Sequence, residues 1–268
     1  MSIKYCYWEM SWPEIKERVK DEPVCIIPVG VLEDHGPHLP LDTDVLIVNE
    51  ICKQAVENNI ADSILLPPVV HGYSPHHMDF PGTISIRWNV LVEYLLDINR
   101  SLIKHGFKRI LLVNGHGSNS SLVNMVSRLT IVEHPEVLCA DSFYLTTPES
   151  LKLIEELRES DYPGGIAHAC ELETSLYLAI KPELVDMSRA VKDISYPESQ
   201  NFFFDWVDGS ARMMEWWSTL SKTGIMGDPT KATVEKGKRW LKAAVGEISS
   251  LIKELKSREI RKRVDHHL

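Results

Sequence analysis

The stretch VCIIPVGVLEDHGPHLPLDTD (residues 24–44) joins an apolar run to a loop crowded with charge and then to the start of a helix. Its first seven residues, VCIIPVG, are typical of a buried β-strand. Residues 30–44 then hold four acids and two histidines. Thr43 and Asp44 open a helix that we expect to reach about Asn58, because both residue types favour helix N-termini. A strand that leads through a polar loop into a helix is the repeating unit of α/β proteins.

The same unit recurs along the first 180 residues. Apolar runs at residues 63–70, 109–115 and 136–144 are further candidate strands. Apolar residues recur at helical spacing from Trp88 to His105, where Gly106 supplies a stop, and residues 118–132 form a second candidate helix. Residues 233–256 place an apolar stripe on a last helix, which we expect to dock on the core. This alternation of candidate strands and helices predicts an α/β protein with a mostly parallel sheet covered by helices on both faces.

The amino-acid composition excludes some classes of binding partner. The 268 residues include 29 Lys and Arg and 38 Asp and Glu, which gives a net charge of −9. The electrostatic field of such a protein repels nucleic acids and anionic membranes. The five cysteines are odd in number and lack a CxxC pair, which favours a reducing cytosol over a disulfide framework. We therefore predict a cytoplasmic protein that acts on small molecules and binds neither nucleic acid nor membrane.

Histidines are concentrated where strands end. Seven of the eleven fall in loops that follow candidate strands: His35, His38, His71, His76, His77, His116 and His168. Such loops meet at the carboxyl edge of a parallel sheet, where ligands bind. Glu33 and His35, two residues apart in an extended loop, share one face and could grip one divalent ion or two neighbouring ions. Asp44 could join them as a ligand or simply cap its helix.

Two later segments contain further candidate ligands or catalytic residues. In VNGHGSNSS (residues 113–121), glycines flank His116 and let a tight turn aim its imidazole out of the strand end. In GGIAHACELETS (residues 164–175), an early helix start would put His168 and Glu171 on one face, while Glu173 would brace a ligand or be a satisfied buried acid. Histidines with carboxylates suit Zn, Mn or Fe(II), and Cys170 is expected only to pack.

Two stretches favour a structural interpretation. The aromatic-rich segment 195–223 is expected to pack into the core or against another subunit, with a lid over the substrate as the alternative. His76 and His77 are expected to be surface loop residues, with a role in substrate contact as the alternative.

Taken together, these segments resemble the creatininase (creatinine amidohydrolase) family. The matching pieces follow in the family's order and span nearly the whole chain: PVGVLEDHGPHLPLDTD, HMDFPGTISI, LLVNGHGSN, HACELETS and GDPTKATVEKG. The resemblance implies a single three-layer α/β/α domain over residues 1–268, assembled as a homohexamer. It also implies a hydrolytic centre with one or two divalent ions.

The resemblance also implies roles for individual residues. Glu33, Asp44 and His116 would bind one ion, and His35 would bind a second ion that Asp44 bridges. His168 falls at the position of the family's active-site histidine. The creatinine-acting pattern has glutamates where this chain has Ser118 and Ala167, so creatinine is not the expected substrate.

One ligand of the second ion is therefore missing, and we expect Glu171 to replace it. The leading prediction is a metal-dependent hydrolase of a small cyclic or formylated amide, with a metal-activated water, His168 as general acid and Glu173 in support. The alternatives are a ring-opening C–C hydrolase of a cyclic polyhydroxy ketone or diketone, such as 3-dehydro-scyllo-inosose, and a non-catalytic metal-binding subunit.

Overall fold

A parallel four-stranded sheet forms the centre of the protein, whose computed structural model describes residues 3–195, 199, 201–206, 211 and 213–267. The strands lie in the order β2-β1-β3-β4. Their bounds are Val24–Val29 (β1), Ser63–Leu65 (β2), Arg109–Asn114 (β3) and Leu138–Phe143 (β4). A second, antiparallel sheet pairs β5 (Ile166–His168) with β6 (Met226–Gly227). The prediction of a mostly parallel sheet is confirmed.

Helices follow most of the parallel strands. Their bounds are Trp12–Arg18 (α1), Thr43–Glu57 (α2), Trp88–Lys104 (α3), Ser120–Glu133 (α4), Pro148–Leu157 (α5), Glu171–Ile180 (α6), Trp217–Leu220 (α7) and Val234–Ser257 (α8). The predicted helices α2, α3, α4 and α8 are confirmed, and α3 is followed by Gly106 at a φ of +100°. The predicted strand 63–70 is shorter than expected because Pro67 and Pro68 have no N–H to donate to a ladder.

Alternate residues of the central strands face two separate cores. In β1, Val24 and Ile26 pack with α2, α6 and α8, whereas Cys25 and Ile27 pack with α3 and α4. Helix α8 buries one face against the first core, with Trp240 fully buried, as the predicted docking helix requires. The sheet thus lies between two helical layers, which confirms the predicted three-layer α/β/α architecture.

The register of the sheet decides where the polar loops emerge. Val29 at the end of β1 pairs with Asn114 at the end of β3, and Asn114 pairs with Phe143 at the end of β4. The loops after these strands therefore leave the sheet side by side at one edge. Within the described residues, no helix has the length and apolar character that a membrane crossing needs.

Candidate metal centre

Four predicted ligands converge at this edge of the sheet. Glu33 and His35 lie in the loop after β1, Asp44 lies in the first turn of α2, and His116 follows β3. One carboxylate oxygen of Asp44 (Oδ1) is 3.2 Å from His35 Nε2, and the other (Oδ2) is 3.1 Å from His116 Nδ1. His116 Nδ1 is also 3.2 Å from Glu33 Oε1. Asp44 therefore lies between two groups of possible ligand atoms.

A glycine allows this close approach. A Cβ on Gly115 would lie 2.8 Å from Cβ of Val48 and 2.9 Å from the carbonyl oxygen of Asp44. Any larger residue would push β3 away from the start of α2. Because Gly115 precedes His116, the sequence brings that imidazole directly beside Asp44.

Backbone carbonyls determine which nitrogen of each imidazole faces the centre. His35 Nδ1 donates to the carbonyl of Glu33 at 3.3 Å, and His116 Nε2 donates to the carbonyl of Tyr73 at 3.2 Å. A carbonyl can only accept, so His35 Nε2 and His116 Nδ1 carry lone pairs when the rings are neutral. These lone pairs face carboxylate oxygens, an arrangement that needs a cation between them. Outer carbonyl partners of this kind are usual for metal-binding histidines.

Several buried atoms of the centre have no hydrogen-bond partner. They include Glu33 Oε1, His35 Nε2 and Asp44 Oδ2, which belong to side chains that are at most 3% exposed. Ligand atoms of Glu33, His35 and Asp44 lie within 4.8 Å of one another. Buried polar atoms are rarely left unpaired without a reason, so the residues fit a bound cation. His–carboxylate sets of this type suit Zn²⁺ or Mn²⁺.

The electrostatics also favour positive charge here. Burial lowers the pKa of His35, but Asp44, followed by Glu173 and Glu33, raises it to about 10. Burial lowers the pKa of His116 as well, but Glu33 and Asp44 raise it to about 10. The carboxylates therefore stabilise a cation at this position, whether a proton or a metal ion.

Glu171, predicted as a metal ligand, does not join the centre, and that prediction is wrong. His168 ends strand β5, and Ala169 turns the chain at a φ of +50° before α6 begins. His168 and Glu171 therefore do not share a helical face. The fully buried Glu171 carboxylate instead binds Lys236 Nζ at 2.5 Å and accepts the N–H groups of Glu159 and Ser160.

Glu173, predicted to support catalysis, does lie at the centre. Its Oε1 is 4.0 Å from His35 Nε2, and it forms a group with His35 and His168 whose ligand atoms are within 4.8 Å of one another. The pKa of Glu173 is raised to about 7, because burial raises it more than the charge of His35 lowers it and the charge of Asp44 raises it too.

His168 adjoins the same carboxylates. Its Nε2 donates to the carbonyl of Asp34 at 2.7 Å, so Nδ1 carries the lone pair, 3.8 Å from Glu33 Oε1. Burial, followed by the charge of His35, keeps the pKa of His168 well below its usual range. The imidazole is therefore neutral, and its free nitrogen Nδ1 is directed toward the centre.

His76 and His77 are not surface residues, so that interpretation is wrong. They are 7% and 1% exposed because the indole of Trp217 covers them, stacked 4.5 Å from the His77 ring. His76 Nε2 bonds with Ser118 Oγ at 3.2 Å. The burial of this pair leaves no local signal in the sequence, because Trp217 lies 140 residues beyond His77. Of the other candidates, His38 pairs with Thr174 at 2.9 Å, and His71 is exposed.

A cavity of about 630 Å³ opens onto the centre. Its lining includes residues of the centre: Glu33, Asp44, His116, His168 and Glu173. Much of its wall is apolar and comes from Phe143, Phe203, Phe204, Trp206, Met213 and Trp217. Residues 203–206, 211, 213, 214 and 217 of the predicted aromatic segment line this cavity, whereas Phe202 and Trp216 are exposed. Residues 196–198, 200, 207–210 and 212 of that segment lie outside the described residues.

The sequence is similar to those of several known proteins. A family model described as Creatininase: Creatinine amidohydrolase matches residues 8–252. The chain is 30% identical to the creatinine amidohydrolase of Pseudomonas putida, over 95% of this chain and 98% of that protein. It is 34% identical to the mycofactocin precursor peptide peptidase of Mycolicibacterium smegmatis, over 81% and 79%. It is 26% identical to the 3-dehydro-scyllo-inosose hydrolase of Thermotoga maritima, over 93% and 83%.

Solved structures share the fold. A crystal structure of creatinine amidohydrolase matches with a TM-score of 0.82 at 28% identity, over 96% of this chain and 100% of that one. A mutant creatininase of Zn–Zn type and a structure named creatininase Mn each match with a TM-score of 0.80 at 29% identity, over 95% and 96% of this chain and 100% of theirs.

Proposed function

The chain belongs to the creatininase family, and from this premise we propose that it hydrolyses the C–N bond of a small cyclic or formylated amide. It is a metal-dependent hydrolase, the enzyme class predicted from its sequence. One observation carries the proposal. The two carboxylate oxygens of Asp44 lie beside His35 and His116, next to a cavity large enough for a small molecule.

Glu33, Asp44 and His116 would hold one divalent ion, with His35 and Asp44 contributing to a second. Zn and Mn are the metals we propose, because the residues suit both and similar structures carry both names. Such an ion lowers the pKa of a bound water to about 7 and polarises a substrate carbonyl. Ser74 donates its hydroxyl to Glu33 Oε2, which leaves Oε1 directed at the centre.

His168 is the proposed proton carrier. Its Nε2 hydrogen is occupied by the carbonyl of Asp34, so protons enter and leave at Nδ1, which faces Glu33. The neutral ring accepts a proton from the attacking water at Nδ1. It then returns that proton to the departing nitrogen, which makes the amine a better leaving group. The stacked rings of His77 and Trp217 lie 4.5 Å and 5.0 Å from the His168 ring and help to keep it buried from bulk water.

The residues that line the cavity indicate which chemical groups the substrate contains. Phe143, Phe203, Phe204 and Trp206 offer an apolar wall for an aliphatic or aromatic group. Ser118 and His76 offer a neutral hydrogen-bonding pair beside the centre. Since Ser118 and Ala167 occupy positions where the creatinine-acting pattern has glutamates, we propose a substrate other than creatinine.

The alternative of C–C ring opening is less favoured. The relative named for an inosose is 26% identical, whereas the relatives named for an amidohydrolase and a peptidase, both of which cleave C–N bonds, are 30% and 34% identical. The predicted non-catalytic role is set aside because the protein is an enzyme.

Assembly and location complete the proposal. We propose a homohexamer, as the family resemblance implies, acting in the cytosol. All five cysteines are free thiols in this fold, in keeping with a reducing compartment.

A substrate panel tests the proposed reaction. Metal-loaded protein is incubated with lactams, formamides, short peptides and cyclic ketones, and primary amine or ammonia is measured alongside mass spectrometry of the products. Amine release that stops on chelation and resumes with Zn²⁺ or Mn²⁺ is expected. Turnover of ketones alone would replace the amide proposal with ring opening.

A further inference from the structure

An aromatic wall lines part of the cavity. The ring of Phe204 lies 5.6 Å from that of Trp217, which lies 5.0 Å from the ring of His168. The wall therefore adjoins the proposed proton carrier, and a group bound against it would lie close to the bond that is cleaved. Its members are Phe143, Phe203, Phe204 and Trp206.

The cavity is larger than the reacting bond requires. Its volume of about 630 Å³ lies in the range of about 300–1,000 Å³ that holds drug-sized ligands, so a formamide or a simple lactam would leave most of it empty. Among the described residues, no lysine or arginine lines it. Away from the metal centre, a carboxylate or phosphate of the substrate would therefore meet no positively charged side chain and would lose its hydration without compensation.

We propose that the aromatic wall selects amides that carry an uncharged aromatic group, and that Arg158 is the positioning residue that holds the wall in place. This inference deepens the proposed function and rests on it. An aromatic ring bound among these side chains loses apolar surface to water and packs against other rings, and both effects favour binding.

Arg158 acts on the wall through Asp205. Its Nη1 and Nη2 donate to Oδ1 and Oδ2 of Asp205, each at 3.1 Å, and the two side chains are 11% and 3% exposed. A bidentate pair of this kind fixes orientation as well as distance. Because Asp205 lies between Phe204 and Trp206 in the chain, the pair fixes the backbone that carries the wall.

Further contacts join this pair to the loop before β5. Asp205 Oδ2 also accepts the N–H of Gly164 at 2.7 Å. The Arg158 guanidinium lies 5.2 Å from the centre of the Tyr162 ring, which is 6.0 Å from the ring of Phe203. Arg158 therefore contacts both the acid that anchors the wall and an aromatic ring that packs beside it.

Trp206 has an anchor of its own. Its indole N–H donates to the carbonyl of Leu145 at 3.0 Å, and its ring lies 5.4 Å from that of Phe143 at the end of β4. Loss of the Arg158 pair should therefore displace Phe203 and Phe204 more than Trp206.

Three formamides that differ in one substituent test the selectivity. They are N-benzylformamide, N-methylformamide and N-(4-carboxybenzyl)formamide, each of which reacts with water to give formate and the free amine. In steady-state kinetics of the metal-loaded wild type, we expect kcat/KM for the benzyl compound to exceed that for the methyl compound roughly 10- to 100-fold, as burial of a phenyl ring predicts. It should exceed that for the carboxylated compound at least about 10-fold.

Substitutions test the positioning role. Arg158→Met leaves the buried charge of Asp205 without its partner, Arg158→Lys keeps a charge but loses the bidentate geometry, and Phe203→Ala removes part of the wall directly. The control is Arg239→Met, because Arg239 forms an ion pair with Glu156 in which the side chains are 51% and 59% exposed. Circular dichroism and elemental analysis verify the fold and metal content of each variant.

The variants should differ in KM and in substrate dependence. Arg158→Met and Phe203→Ala are expected to raise KM for N-benzylformamide about 10-fold and to leave kcat/KM for N-methylformamide within about 3-fold of the wild type. Arg158→Lys should show a smaller rise, and Arg239→Met should match the wild type on both amides. A merely structural role of Arg158 would instead lower activity on both amides alike.

The outcomes distinguish this inference from the proposed function. Equal kcat/KM for the three amides in the wild type would overturn the selectivity, and an unchanged KM for N-benzylformamide in Arg158→Met would overturn the positioning role, while the hydrolase proposal stands in both cases. If Arg158→Met does not fold, an unchanged KM in Arg158→Lys overturns that role.

A wild type that cleaves none of the three amides would overturn the proposed function. Calorimetric titration of the metal-loaded protein then tests the wall by binding alone. N-benzylformamide is expected to bind at least about 10-fold more tightly than N-methylformamide, and equal affinities would overturn the inference.

Discussion

Replacing Lys236 with methionine tests whether Glu171 stabilises the fold through a buried ion pair instead of binding a metal ion. Lys236 Nζ lies 2.5 Å from Glu171 Oε1, and the two side chains are 10% and 0% exposed. Removing one partner of a buried ion pair costs about 3–5 kcal/mol, because the other charge is left uncompensated. The N–H groups of Glu159 and Ser160 remain bonded to the carboxylate, so we expect the lower end, about 3 kcal/mol.

This loss is large enough to measure by calorimetry. At about 2–4 °C per kcal/mol for a domain of roughly this size, Lys236→Met should unfold about 6–12 °C below the wild type. The double variant Lys236→Met/Glu171→Gln removes both charges and should recover part of the difference. Zinc stoichiometry should stay that of the wild type. An unfolding temperature within about 2 °C of the wild type, or a lost ion, would refute the reasoning.

Three further substitutions probe the centre. Asp44→Asn should remove tight binding of both ions and lower kcat by roughly 10³-fold or more, as elemental analysis and kinetics would show; full activity would exclude the bridging role. His168→Ala should keep the metal content and lower kcat about 10²- to 10⁴-fold, whereas unchanged turnover would remove it from proton transfer. Gly224→Ala would put a Cβ 2.0 Å from Asp34 Oδ2 at a φ of +82°, so it should lower the free energy of unfolding in urea by about 1–3 kcal/mol. It should also slow turnover by displacing Asp34, whose carbonyl accepts the hydrogen bond from His168, and wild-type stability would contradict this reasoning.

The sheet and the main helices could be predicted because their signals are local. Apolar runs and helical spacing identify β1, β3, α3 and α8 without knowledge of their partners. The convergence of Glu33, Asp44 and His116 could also be anticipated, since loops after parallel strands meet at one edge. The end of β2 was misjudged where two prolines interrupt the ladder.

The different positions of Glu171 and Glu173 relative to the centre could not be predicted from spacing. It depends on the turn at Ala169, which delays the start of α6, and on Lys236, which lies 65 residues beyond Glu171. The burial of His77 likewise depends on Trp217, a contact distant in sequence. Side chains that owe their position to single dihedral angles or to distant partners leave little periodic signal in the sequence.

Anomalous diffraction from crystals soaked in Zn²⁺, with data on both sides of the zinc edge, would test the central claim most directly. We predict one peak among Glu33, Asp44 Oδ2 and His116 Nδ1, and a second beside Asp44 Oδ1 and His35 Nε2. Strong zinc peaks elsewhere, with no anomalous density between these side chains, would contradict the account of a shared metal centre.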